Sequence, residues 1–240
     1  MTGDHFRFRQ FTIYHDKCAM KVGTDGVLLG AWCNVEGAMA VLDVGTGSGL
    51  IALMVAQRNQ NCIVDAIDID RPSFLQASEN AARCRWSKRI RMHHSSFNDY
   101  HNKHNKDYDL IVSNPPWFQN SLTNPDPVRS GARHSHSLSM DDLIYGVEKL
   151  LTSTGRYCMI MPVPEAEIFI EKATAGGLYC RKITSVHPNP EKPAKRYLLE
   201  FRRDPGQVER SQLILELEKR HKYSDQFKKL TGDFYLAFRY

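Results

Sequence analysis

The stretch Ala40-Val-Leu-Asp-Val-Gly-Thr-Gly-Ser-Gly-Leu-Ile-Ala-Leu-Met-Val-Ala-Gln-Arg58 decides how this chain is read. Ala40–Val44 is short and almost wholly apolar, the pattern of a strand buried on both faces. Leu50–Arg58 is apolar over a helical length. Between them, Gly45, Gly47 and Gly49 space a turn as G-x-G-x-G. Glycine reaches backbone conformations closed to other residues and lets a ligand approach the main chain. A dinucleotide site prefers G-x-G-x-x-G and offers helix-terminal amides to a pyrophosphate. Here Asp43 stands two residues before the first glycine, and a carboxylate at that place repels phosphate and suits a cation. S-adenosylmethionine carries an ammonium and a sulfonium. It is the expected cofactor, with Asp43, Gly45, Gly47 and Gly49 at its site.

Outward from this unit, strands and helices alternate. Strands are expected at 62–69, 89–93, 108–113 and 155–161, with helices at 72–83, 141–151 and 165–173. Two late strands, at 180–186 and 196–201, lack an intervening helix and read as an antiparallel hairpin at one sheet edge. Near the N-terminus, 6–14 alternates like a strand or hairpin, and 24–32 reads as the start of a helix that Thr24 or Asp25 can cap. The fold class is α/β, a doubly wound, mostly parallel, seven-stranded Rossmann-like sheet with an antiparallel edge hairpin. Residues 1–240 form one expected domain, with extensions at 1–36 and 205–240. The second extension reads as a charged helix from Ser211, then an aromatic end.

Asp68 ends the second strand, the place from which an acid reaches ribose hydroxyls. Asp70 lies on the same face and is the alternative. After the third strand, Ser96 can bond an adenine amino group and Phe97 can pack on the ring, or Phe97 is ordinary core. The fourth strand leads into Asn114-Pro115-Pro116-Trp117. An exocyclic amino group is nearly flat, its lone pair delocalised into the ring. Two acceptors on its two hydrogens favour the pyramidal shape needed for attack on a methyl sulfonium. Asn114 supplies a side-chain oxygen, and Ser113 or Pro115 a backbone carbonyl. Pro115 and Pro116 stiffen the loop, and Trp117 offers a stacking face.

The glycine turn, with the order of elements from Val41 to Val163, resembles the class I methyltransferases. Ser96 departs from the acid often found at its place. Asn114 to Trp117 resembles the Asn-Pro-Pro-aromatic motif of the amino methyltransferases, which act on adenine N6, guanine N2 of ribosomal RNA, or glutamine of release factors.

Composition bounds the alternatives. With 42% apolar residues the chain can bury a sizeable core. It has no apolar run long enough to span a membrane and no secretion signal at its start, so a cytoplasmic location is expected. Six cysteines lack metal or disulfide spacing, and His93, His94, His101 and His104 match no metal template; no metal is expected. The formal charge of +5 points weakly to nucleic acid. Arg7, Arg9, Arg129, Arg133, Lys192, Lys195 and Arg196 are the candidate contacts to RNA phosphates. The run from Arg83 to Arg91 reads as a solvated face.

Three further segments are similar to the bacterial tRNA1(Val) (adenine-37-N6)-methyltransferase family: Met20 to Trp32, Arg129 to His136, and Leu230 to Leu236. The resemblance runs almost end to end. It implies transfer to adenine N6 in tRNA, with Lys21, Thr24 and Asp25 near the methionine end of the cofactor and Asn114 also touching it. The competing readings are glutamine N5 methylation of a release factor, guanine N2 methylation of ribosomal RNA, and an RNA-binding module without catalysis. Oligomeric state is not legible.

Overall fold

The computed structural model describes residues 3–18, 20–115, 138–217 and 222–238. The glycine-turn unit forms as expected: strand β3 (Ala40–Val44), turn, helix α2 (Leu50–Arg58). Along β3, Val41 joins one hydrophobic cluster and Leu42 the other, because successive strand side chains point to opposite faces. The sheet therefore has two cores. One lies under α1 (Thr24–Trp32), α2 and α3 (Arg71–Arg83). The other lies under α4 (Phe97–Lys103), α5 (Met140–Leu150) and α6 (Val163–Ala175).

Strands β4 (Ile63–Asp68), β5 (Ile90–His94), β6 (Tyr108–Ser113), β7 (Leu151–Pro162), β8 (Tyr179–His187), β9 (Arg196–Arg202) and β10 (Glu209–Ile214) complete the sheet. Its order is β10-β8-β9-β7-β6-β3-β4-β5. Only β9 runs against its neighbours, so the C-terminal ends of β3, β4, β6, β7, β8 and β10 share one edge with the start of β9. A separate hairpin, β1 (His5–Arg7) with β2 (Thr12–Tyr14), packs against α3. Helix α7 (Asp225–Thr231) closes the chain near Phe234, whose carbonyl accepts from the Arg9 N–H at 2.9 Å.

Three expectations are corrected. The helix expected from Ser211 is instead strand β10, and the helix begins only at Asp225. Charge suggested a helix, but four consecutive exposed residues in β10 are what an outermost strand presents. The main sheet therefore has eight strands rather than seven among the described residues, and the β8–β9 hairpin is interior to it. Helix α1 is preceded by Gly23 at the cap position, with no side-chain cap from Thr24 or Asp25. Asp25 is turned instead to Arg196.

Candidate active site

Asp43 lies on the α2 side of β3 and is fully buried. Its Oδ2 accepts from Thr46 Oγ1 at 2.6 Å and from the Ala52 N–H at 3.1 Å, which satisfies an amide in the first turn of α2. Its Oδ1 has no partner among the described residues. A buried carboxylate oxygen left bare costs free energy, and a ligand donor would relieve it. Burial pushes the Asp43 carboxyl up to about 7, against the Thr46 and Ala52 hydrogen bonds and with help from the charge of Asp68.

Gly45, Gly47 and Gly49 all have positive φ, at 72°, 57° and 83°. A Cβ at Gly45 or Gly47 would meet no atom of the described residues within 4 Å beyond its chain neighbours. The turn thus bounds space that the described residues do not fill. Asp68, at the tip of β4, closes the second wall. Its Oδ2 accepts from the Gly47 N–H and its Oδ1 from the Asp70 N–H, each at 2.8 Å. Burial raises its pKa, against those two bonds. Asp70 is committed elsewhere: it caps α3, accepting from the Ser73 N–H at 2.9 Å and the Ser73 hydroxyl at 2.7 Å. Of the two acids, Asp68 is the one turned to the glycine turn.

Asn114 follows β6 directly. Because Val44 pairs with Ser113, Asn114 lies beside Gly45 across the sheet edge. Ser113 Oγ donates to the Val44 carbonyl at 3.2 Å and ties the two strand ends together. The start of α1 comes in over them: a methyl at Gly26 would stand 3.1 Å from Leu50 and 3.9 Å from Asn114 Nδ2. The Asn114 side chain is half-buried. Pro115 follows it, also half-buried. Pro116, Trp117, Arg129 and Arg133 lie outside the described residues.

The other candidates are less united. Ser96 caps α4, its Oγ accepting from the Asp99 N–H at 3.0 Å and donating to the Asp99 carboxylate at 2.7 Å. Phe97 is buried under α5, where a methyl on Gly146 would strike its ring. Thr24 and Lys21 are exposed at the entry to α1. The chain before α1 passes α3, where the Lys17 N–H donates to Gln76 Oε1 at 2.9 Å. Arg7 is exposed, while Arg9 donates to the Tyr235 and Phe238 carbonyls. Lys192 and Lys195 are exposed, and Arg196 pairs with Asp25 at 2.9 Å. Arg89 departs from the solvated face expected of its run. It donates to the carbonyls of Ala56, Asn59 and Cys62, closing the C-terminal end of α2.

Sequence reasoning missed Asn80. It is buried in α3, its amide accepts from the Tyr14 N–H, and it donates to the carbonyls of Tyr14 and Ser48. It thereby ties the N-terminal hairpin to the glycine turn. Its signal was its register: Ser73, Gln76, Ala77, Asn80 and Ala81 are the buried face of α3, and a polar residue on such a face has a partner to hold.

The Methyltransferase small domain family matches residues 23–164, from the cap of α1 past the end of β7. Along nearly the whole chain, the sequence is 47% identical to the tRNA1(Val) (adenine(37)-N6)-methyltransferase of Trichodesmium erythraeum, covering 99% of this chain and 100% of that one. It is also 47% identical to the protein of that name from Parabacteroides distasonis, over 98% and 99%. The chain belongs to the tRNA1(Val) (adenine(37)-N6)-methyltransferase family. The chain shares its fold with more distant proteins. A predicted O-methyltransferase of Agrobacterium tumefaciens aligns with a TM-score of 0.66 at 19% identity, over 88% of this chain and 96% of that one. The ribosomal protein L11 methylase of Lactobacillus delbrueckii subsp. bulgaricus aligns at 0.53 and 20% identity, over 75% and 77%. The family match takes in Asp43, Asp68 and Asn114 together.

Proposed function

We propose that this chain transfers a methyl group from S-adenosylmethionine to the N6 amino group of an adenine in tRNA, adenine 37 of tRNA1(Val), in the cytoplasm. The observation that carries this reading is the position of Asn114, set by the Val44–Ser113 pairing beside the glycine turn and under the start of α1.

The residues fit this cofactor. The bare Oδ1 of Asp43 faces a need for a donor or a cation. The open space over Gly45 and Gly47 admits a ligand against the main chain. Asp68 keeps its carboxylate next to Gly47 and has lone pairs left for ribose hydroxyls. In this reading Lys21 serves the methionine end, Thr24 and Asp25 support it by fixing the start of α1, and Ser96 and Phe97 serve the adenine end, with Phe97 acting from beneath as packing. When bound, S-adenosylmethionine supplies an electrophilic methyl group whose bonding pair leaves with sulfur.

Asn114 Oδ1 accepts one amino hydrogen of the target base, and the carbonyl of Ser113 or Pro115 the other. The nitrogen lone pair is thereby freed from the ring to form the new N–C bond. Positive charge growing on nitrogen is stabilised by the same two oxygens. The proton then leaves the alkylated nitrogen, which is acidic, for water. No strong base is required, and positioning supplies most of the rate. From their place in the motif, Pro116 stiffens the loop and Trp117 stacks the flipped base, worth roughly 1–3 kcal/mol. Arg7, Arg129, Arg133, Lys192 and Lys195 hold RNA phosphates, while Arg196, paired with Asp25, shapes the surface beside them. Arg9, tied to the C-terminal segment, serves them mainly by fixing that surface.

Incubation with labelled S-adenosylmethionine and either total tRNA or a release factor tests the reading. Label in tRNA is expected. Label in protein alone would replace it with glutamine methylation.

A further inference from the structure

On the same sheet edge as Asn114, and across the start of α1 from it, lies a cleft of about 330 Å³ lined by Thr24, Asp25, Val186, Pro188, Lys195, Arg196 and Leu215. Its size is at the lower end of pockets that bury small ligands, about 300–1,000 Å³. Its place follows from topology. Strands β8 and β10 run parallel to each other, so Val186, Pro188 and Leu215 reach the edge that carries Gly45 and Asn114. The start of α1 forms the shared wall: Thr24 and Asp25 face the cleft while Gly26 abuts Asn114.

The cleft is firmly built. The Lys195 N–H donates to the Val186 carbonyl at 2.9 Å, the Leu215 N–H to His187 at 2.9 Å, and the Glu216 N–H to Pro188 at 3.0 Å. Its chemistry is divided. Val186, Pro188 and Leu215 give an apolar floor. Arg196 and Asp25 neutralise each other. Among the described residues the Lys195 ammonium has no acidic partner within ion-pair distance, so of the lining residues it is the cation left for a ligand.

An adenine can enter the site beside Asn114 only by leaving its stack, which unstacks its neighbour as well. A neighbour in that state needs an apolar surface for its base and a cation for its phosphate. We propose that this cleft holds the nucleotide flanking the target adenine, with its base on Val186, Pro188 and Leu215 and its phosphate on Lys195. The proposal rests on the tRNA reading above and adds a second nucleotide site to it.

An anticodon stem-loop RNA carrying 4-thiouridine next to the target adenine tests it by photo-crosslinking and by kinetics. The cross-link is expected on the peptides around Val186–Arg196 or Leu215. Lys195→Ala is expected to raise KM for the stem-loop several-fold at unchanged kcat and cofactor affinity, with Lys195→Arg restoring it. The slope of log KM against log salt should fall by about 0.7, one single-strand phosphate contact. If the unmodified enzyme methylates the stem-loop but cross-links elsewhere and Lys195→Ala keeps its KM, the cleft proposal is overturned and the tRNA reading stands. If the unmodified enzyme methylates no RNA, both fall.

Discussion

The carboxylate of Asp68 accepts the backbone N–H of Gly47 at 2.8 Å, joining the end of β4 to the turn after β3. Two separate strand ends are thus fixed as one wall. The neighbouring acid, Asp70, is occupied with the cap of α3.

That division of labour predicts a contrast. Asp68→Ala is expected to weaken cofactor binding by about 10- to 100-fold, the loss of charge-assisted hydrogen bonds worth about 1.5–3 kcal/mol. Asp70→Ala is expected to cost about 1 kcal/mol of stability through the lost cap and to change binding little. Titration calorimetry and thermal melting of both variants check this; the reverse pattern would give the ribose role to Asp70.

Gly47 separates space from stability. With φ at 57°, alanine there is strained by roughly 1–2 kcal/mol. Its added carbon meets no atom of the described residues beyond its chain neighbours. Gly47→Ala is therefore expected to fold with a modestly lower Tm yet lose most cofactor affinity. Retained affinity would show that the ligand does not approach this backbone.

Asp43 predicts a pH dependence. Burial holds its carboxyl at about 7, so it is largely protonated below that pH and ionised above. A cationic ligand favours the ionised form, so cofactor affinity is expected to rise as pH goes from about 6 to 8. Asp43→Asn should flatten the profile. A flat profile in the unmodified protein would remove Asp43 from the ligand's charge balance.

Asp65 predicts a stability effect away from the site. Burial alone would raise its pKa, but hydrogen bonds from His93, Lys106 and Tyr108 and the Lys106 charge hold it down to about 2. A lowered acid stabilises the fold above its unfolded pKa of about 4 and ceases to do so as pH falls toward 2. Asp65→Asn is expected to cost about 2 kcal/mol at pH 7. In denaturant melts the gap to the unmodified protein should close between about pH 4 and 2; a constant gap would contradict the pairing.

Much of this was legible in the sequence. Ala40–Arg58 announced strand, turn and helix because glycine spacing and apolar runs are local signals. Asp68 was preferred over Asp70 because it directly follows the strand, but spacing could not show that Asp70 is taken by the end of α3. Asn80 and Asp65 were missed because their partners are distant in sequence: Tyr14 and Ser48 for one, His93, Lys106 and Tyr108 for the other. Strand β10 was misread because its surface charge resembles a solvated helix, and only pairing with β8 defines it. Phe97 was open between ring contact and core, and its packing under Gly146 is a core contact.

The central claim is that Asn114 directs methyl transfer to an adenine amino group. Nucleoside mass analysis of tRNA after reaction, with the unmodified enzyme and with Asn114→Ala, tests it most directly. The account predicts N6-methyladenosine from the former, and from the variant a kcat lower by about 10²–10³ at nearly unchanged cofactor affinity. Methylguanosine as the product, or full activity in Asn114→Ala, would contradict it.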